Sequence, residues 1–429
     1  MFKYCISLEN LDLSNFDFNE SIDISYIFNH MHTLKFIKFS NKLNTNKLQN
    51  ISYSFSHCYL LTSLNVNLFN TKQVLDMSGF LLGCSSLTSI DIHNFNTQKV
   101  INMSRMFEDC KLIKSINISN FETSQVKNMS KMFSNCQELN NLEISNFETN
   151  QVEDMSEMFK YCKSLIYLDL SNFDTSLVTD ISSMFQNCIK LREINIQKFK
   201  TDKIINMASL FQDCNLLTTI YVDKLYTENV KNMSHLFENC YNLKEFNINS
   251  LETKKVEDFS GMFKGTGFNN IYLSNFDTRK GINMSSMFEG CRRVKNISLS
   301  SFNTSKVIDM SSMFKDNSEL SLLNLSNFNT SNVETISSMF ENCYSITSLN
   351  IENFDTSKVT DMYKLFAGCS SLEEIKIEKF NTNKTIDMSQ MFEDCQIKYL
   401  NLKNFNNSQV KYMFGMFKFC SYKFGFIKF

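Results

Sequence analysis

From Leu139 to Cys162 the chain reads LNNLEISNFETNQVEDMSEMFKYC. Its apolar positions are Leu139, Leu142, Ile144, Phe147, Val152, Met155, Met158, Phe159 and Cys162, and the interval between them changes along the stretch. Leu142 and Ile144 alternate with Glu143 and Ser145, the two-residue period of a strand buried on one face. From Val152 onward the step becomes three and then four, which predicts a short helix or 3₁₀ turns. Asp154, like Asn102, Asn128, Asp180 and Asn283 in the same phase, stands before that run, where a short polar side chain caps a first turn. Glu157 would complete a capping box with it. Between the two regimes stands Thr149, and threonine recurs at 45, 71, 97, 123, 175, 201, 227, 253, 278, 304, 330, 356 and 382. In a chain without proline this column predicts the corner, with hydroxyls satisfying turn backbone groups.

The pattern repeats along the whole length. Cysteines fall at 5, 58, 84, 110, 136, 162, 188, 214, 240, 291, 343, 369, 395 and 420, mostly 26 residues apart. Met31, Thr266 and Asn317 fill the wider gaps, so the chain holds about 17 units of about 26 residues. The opening MFKYCISLENLDLSNF matches MFKYCKSLIYLDLSNF at 158–173 in thirteen of sixteen letters, so Met1 enters in the phase of Met158. A fixed period of this size predicts a solenoid in which each unit contacts its neighbours. The fold class is therefore an α/β repeat solenoid, with one parallel β-sheet face and short helices or 3₁₀ turns opposite.

Composition sharpens this picture. The chain has 41 Phe, 23 Met, 10 Gly, no Pro and no Trp. One Phe column follows the strand (Phe95, Phe121, Phe147, Phe173) and another lies in the turn run (Phe107, Phe133, Phe159, Phe185). Both are expected to be core packing, with methionines filling beside them. The cysteine phase argues for a buried ladder of free thiols over disulfides. Stacked parallel segments lie about 4.8 Å apart, farther than the roughly 3.5–4.5 Å between Cβ atoms that a bridge needs. No unit carries the paired cysteines or nearby histidine of a zinc site, and no cofactor or metal is expected.

A net charge of −2 gives no basic surface for nucleic acid. No apolar run is long enough to span a membrane. Only five histidines occur, at 30, 32, 57, 93 and 235, with no evident shared phase and no recurring Ser or Asp partner. No phosphate-binding glycine loop is present, and no enzymatic activity is expected. The chemistry that remains is the exposed side of the strands. Tyr167, Asp169, Asn195, Tyr221, Asn247 and Tyr272 form a candidate binding face suited to weak, multivalent contact with protein or glycan. A self-bonded polar ladder is the alternative role for its asparagines.

The phrases SNFDTSLVTDISSMFQNC, CSSLTSIDIHNFNT and FDTSKVTDM resemble the BspA-like leucine-rich-repeat surface proteins, across essentially the whole chain. The resemblance implies a right-handed leucine-rich-repeat-like coil, 1–429 as a single solenoid, and a role in adhesion at a cell surface or in secreted form. It carries no catalytic residues over. No leader is seen in MFKYCISLENLDL and the leucine expected after Cys420 does not arrive, so truncation at both ends is expected, with end-to-end self-association as the other outcome. An intracellular, cytoplasmic scaffold is the competing function. Local irregularities fall near 31–45, 264–272 and 395–400, with a ligand notch at 264–272 as one reading.

Overall fold

The computed structural model describes residues 2–222, 224–244 and 246–420, and the backbone of 426–428. Residues 421–425, within the expected C-terminal break, lie outside the described residues. The chain forms two compact units, Met1–Leu225 and Tyr226–Phe429. Each is a stack of coils with a parallel strand on one side.

In the first unit the strands are β1 (Asn10–Leu13), β2 (Phe36–Phe39), β3 (Ser115–Ile116), β4 (Asn141–Leu142), β5 (Tyr167–Asp169), β6 (Glu193–Asn195) and β7 (Thr219–Tyr221). They pair in parallel as β1-β2, β3-β4 and β5-β6-β7. The second unit holds β8 (Ile271–Tyr272), β9 (Asn296–Ser298), β10 (Leu322–Leu323), β11 (Ser348–Leu349), β12 (Glu374–Ile375), β13 (Tyr399–Asn401) and β14 (Phe426–Lys428). These pair as β8-β9-β10 and β11-β12-β13-β14, again in parallel. Register steps by one repeat, Tyr167 to Glu193 to Thr219, so each inward Leu or Ile lands on its counterpart in the next coil. Leu168, Ile194, Ile297 and Ile375 are buried in this way.

The opposite side is not helical, which corrects the expectation from the three-and-four spacing. The 3₁₀ helix found among the described residues, Ile248–Ser250, lies in the strand segment of a second-unit coil. The turn run is instead a chain of tight turns with two left-handed residues per coil. Arg105 (φ 58°) and Asp109 (φ 62°), Lys131 (58°) and Asn135 (60°), Glu157 (57°) and Tyr161 (59°) are examples. Such backbone breaks an α-helix, and the hydrogen bonds show what is gained. N–H groups of Met103, Arg105, Phe107 and Asp109 donate to the carbonyls of Asn128, Ser130, Met132 and Ser134 in the next coil, at 2.8–3.0 Å. Between them, Met106, Glu108 and Cys110 donate to carbonyls three residues back. The run thus satisfies its backbone by alternating turn and inter-coil bonds. The apolar spacing resembles a helix because these turns also return a side chain to the core every three or four residues.

The capping expectation changes with it. Asp154 accepts the Ser156 N–H at 2.9 Å, but it sits in a parallel bridge ladder, Asn128 to Asp154 to Asp180, and starts no helix. Glu157, itself left-handed, pairs with Lys131 (3.0 Å) and Lys160 (3.1 Å) and forms no capping box.

The threonine column does turn the corner, and its hydroxyl reaches forward to the next coil. Thr97 Oγ1 donates to the Glu122 carbonyl and accepts the Glu122 N–H, both at 2.8 Å. Thr304 does the same for Asn329 in the second unit.

None of the fourteen cysteines is in a disulfide, and all but Cys5 and Cys420 are buried. The thiols along both units repeat one task, donating to a backbone carbonyl of the preceding coil. Cys136 Sγ donates to the Phe107 carbonyl at 3.1 Å, which also receives the turn bond from Cys110. Asn317 replaces cysteine in the same role, its Nδ2 donating to the Phe288 carbonyl at 2.9 Å. Burial pushes the thiols of Cys58, Cys188, Cys291 and Cys343 up to about 12. Beside them the turn-run phenylalanines stack nearly parallel, with centroids 5.6–5.9 Å apart from Phe107 to Phe211. Among the described residues no helix is long and apolar enough to cross a membrane.

Candidate binding face

The strands place four of the expected face residues together in the first unit. Tyr167 and Asp169 flank buried Leu168 on β5; Asp169 is in register with Asn195, and Asn195 with Tyr221. Tyr167 is 52% exposed and Tyr221 42%. The Tyr221 hydroxyl reaches Glu193 Oε2 at 3.4 Å. Slight desolvation, helped by the charges of Asp169 and Glu193, raises the Tyr167 phenol above its ordinary value, so that ring presents a neutral hydroxyl at neutral pH.

The other two face residues lie in the second unit. Tyr272 on β8 is 63% exposed. Asn247 is not on a strand, contrary to its phase. It precedes the 3₁₀ turn, and its carbonyl accepts both the N–H (3.0 Å) and the hydroxyl (2.6 Å) of Ser250. Asn247 and Tyr272 nonetheless line one shallow depression of about 460 Å³.

The polar column between the inward residues ends the strands. Asp169 Oδ1 accepts the Ser171 N–H at 2.9 Å, Asn195 Oδ1 that of Gln197 at 3.2 Å, and Asn324 Oδ1 that of Ser326 at 3.0 Å. Each is an Asx turn made within its own coil, and among the described residues no side-chain bond joins Asn195 or Asn324 to its neighbour in the column. Half of each side chain is thereby committed to structure, while carboxylate and amide edges still face solvent.

A second cluster has no counterpart in the sequence reading. His30 and His57 share one left-handed column of the first unit and stack at 4.4 Å between centroids, correcting the expectation that the histidines share no phase. Tyr4 stacks on His30 at 4.9 Å and Tyr26 on Tyr53 at 4.9 Å. His32 Nε2 lies 3.0 Å from His30 Nδ1, and the Tyr59 hydroxyl 3.2 Å from His57 Nδ1. Burial lowers the pKa of both His30 and His57, with neighbouring imidazoles adding to it. The available signal was the residue before each cysteine-phase position: Tyr4 before Cys5, His30 before Met31, His57 before Cys58. Among the described residues no group of three or more His, Cys, Asp or Glu could hold a metal ion.

A family model described as "Mycoplasma protein of unknown function, DUF285" matches residues 1–63, 23–117, 49–167, 102–219, 162–270, 266–349 and 344–424. No curated protein matches the sequence. Among solved structures, a leucine-rich repeat protein from Bacteroides ovatus is similar at 15% identity, covering 96% of this chain and 85% of that one, with a TM-score of 0.29. A leucine rich cell surface protein from Faecalibacterium prausnitzii is similar at 15% identity, 73% and 82% coverage and a TM-score of 0.32. These TM-scores are too low for the whole chains to superpose.

Proposed function

The chain belongs to the DUF285 family, and on that footing we propose that it is a non-enzymatic binding module whose strand side contacts protein or glycan partners at a cell surface. The observation that carries this reading is the register block on β5, β6 and β7, where Tyr167, Asp169, Asn195 and Tyr221 converge. Two exposed aromatic rings offer amphipathic contact area at low entropy cost, and the polar groups between them give direction. The resemblance of the repeat phrases to BspA-like adhesins supports the surface setting. Immobilised glycans and matrix proteins test it with the wild-type chain and Tyr167→Ser/Tyr221→Ser. Binding that falls at least about tenfold with an unchanged melting midpoint supports the reading, while no binding by the wild type, or equal binding by both chains, overturns it.

One observation favours a second reading. Fourteen cysteines outside any disulfide suit a reducing compartment, in which the same side would serve an intracellular scaffold. Antibody staining of intact against permeabilised cells separates the two settings.

A further inference from the structure

The coil at 264–272 is one residue short, and its consequences lie away from the strand side. Gly265 (φ 63°) and Gly290 (φ 67°) occupy the second left-handed position of consecutive coils. A Cβ on Gly290 would meet nothing nearer than Gly265, at 3.9 Å. At Gly267 the short coil is drawn onto the one before it. Its N–H donates to the Cys240 carbonyl at 3.1 Å, and a Cβ there would stand 2.0 Å from the Tyr241 carbonyl oxygen. With three side chains missing, the edge opens into a pocket of about 380 Å³.

The charged groups around it are unequally committed. Lys264 pairs with Glu289 at 3.1 Å and lies 3.8 Å from Glu238. Asp316 Oδ1 accepts the Asn342 amide at 2.7 Å. Arg292 and Arg293, both exposed, have no ion-pair or side-chain hydrogen-bond partner among the described residues. Arginine is scarce, at positions 105, 192, 279, 292 and 293 only, so two of the five stand side by side here. The half-exposed ring of Tyr241 forms another wall of the pocket.

We propose that this notch binds a carboxylated sugar of the uronic-acid type. A guanidinium fork matches a planar carboxylate in two parallel hydrogen bonds, which an ammonium cannot do. The bare backbone at Gly290 lets a ring approach closely, and the Tyr241 face covers its apolar side. Lys264 neutralises Glu289, and the two guanidinium groups outweigh the single charge of Asp316, so the lining is net positive and selects an anion. The site is separate from the Tyr167–Tyr221 block and does not depend on it.

Titration of the full chain with D-glucuronate, D-glucose and inorganic phosphate, read by calorimetry or ligand-observed NMR, tests this. Glucuronate is expected to bind saturably, at least about tenfold more tightly than glucose or phosphate. Arg292→Gln/Arg293→Gln should abolish that preference with an unchanged melting midpoint, and Arg292→Lys/Arg293→Lys should lose about tenfold by keeping charge without the fork. Tyr241→Ala should weaken glucuronate and leave phosphate as it was. Absence of saturable glucuronate binding, undiminished binding by the Gln variant, or phosphate binding equal to glucuronate would overturn the proposal.

Discussion

The left-handed column that precedes the cysteine phase is filled in opposite ways in two short stretches, one in each unit. One stretch of the first unit carries Tyr4, His30 and His57, whose rings stack into an edge; in one stretch of the second, Gly265 and Gly290 stand in the same column, and the edge opens at Gly290. The backbone torsions are nearly the same in both, φ 59° at His30 and 63° at Gly265. Hydrogen bonding is the same too: His30 N–H donates to the Ser56 carbonyl at 2.8 Å, Gly265 N–H to that of Glu289 at 2.7 Å. Stability is thus carried by the backbone ladder and the core behind it, and the column itself is open to variation. Side chains there decide surface chemistry without deciding the fold.

The sharpest way to break this comparison is to crowd the notch. Gly267→Ala sets a methyl against the Tyr241 carbonyl and is expected to cost about 3 kcal/mol, read as a lowered midpoint in denaturant; a neutral outcome would mean the short coil is not pressed on its neighbour. Gly290→Ala meets no such contact, and should lose only about 1 kcal/mol to left-handed strain.

Acidification probes the filled edge. His30 and His57 are lowered in the folded state, so the unfolded chain binds protons first. Stability is complete above the unfolded value of about 6.5 and falls as pH drops through it. The groups facing the pair are Lys3 and His32, which oppose protonation, and Asp109, which favours it at His57. Melting midpoints between pH 8 and 5 should decline in the wild type and flatten in His30→Asn/His57→Asn. The smallest effect is expected at an ordinary site: Ser209→Gly, at φ 58°, trades relieved strain against chain entropy and should change stability by less than about 0.5 kcal/mol.

Much of the architecture was legible because every coil shows the same phases. Cysteine spacing marked the repeat, the Leu142–Ile144 alternation marked the strand, and Thr149 marked the corner. The turn run was misread because period alone cannot distinguish a helix from successive turns that both return apolar side chains inward. Its true signature was the Asp, Asn or Gly before cysteine, at Asp109, Asn135, Asn187, Asp213 and Gly368, residue types that accept left-handed backbone cheaply. Of the candidate face, phase alone placed Tyr167, Asp169, Asn195 and Tyr221 on neighbouring strands, as the register shows. Asn247 kept the phase but not the strand, because its coil closes into the Ile248–Ser250 turn. The histidine stack escaped notice because a 27-residue unit sets His57 one place off the common period.

The row of sulphurs has a practical consequence. An alkylating reagent reaches a sulphur atom only when its surroundings part and its proton leaves, so each labelled site timestamps the exposure of one layer. Mass spectrometry over a labelling time course would yield an opening order from Cys58 to Cys395, layer by layer, using reporters the molecule already carries.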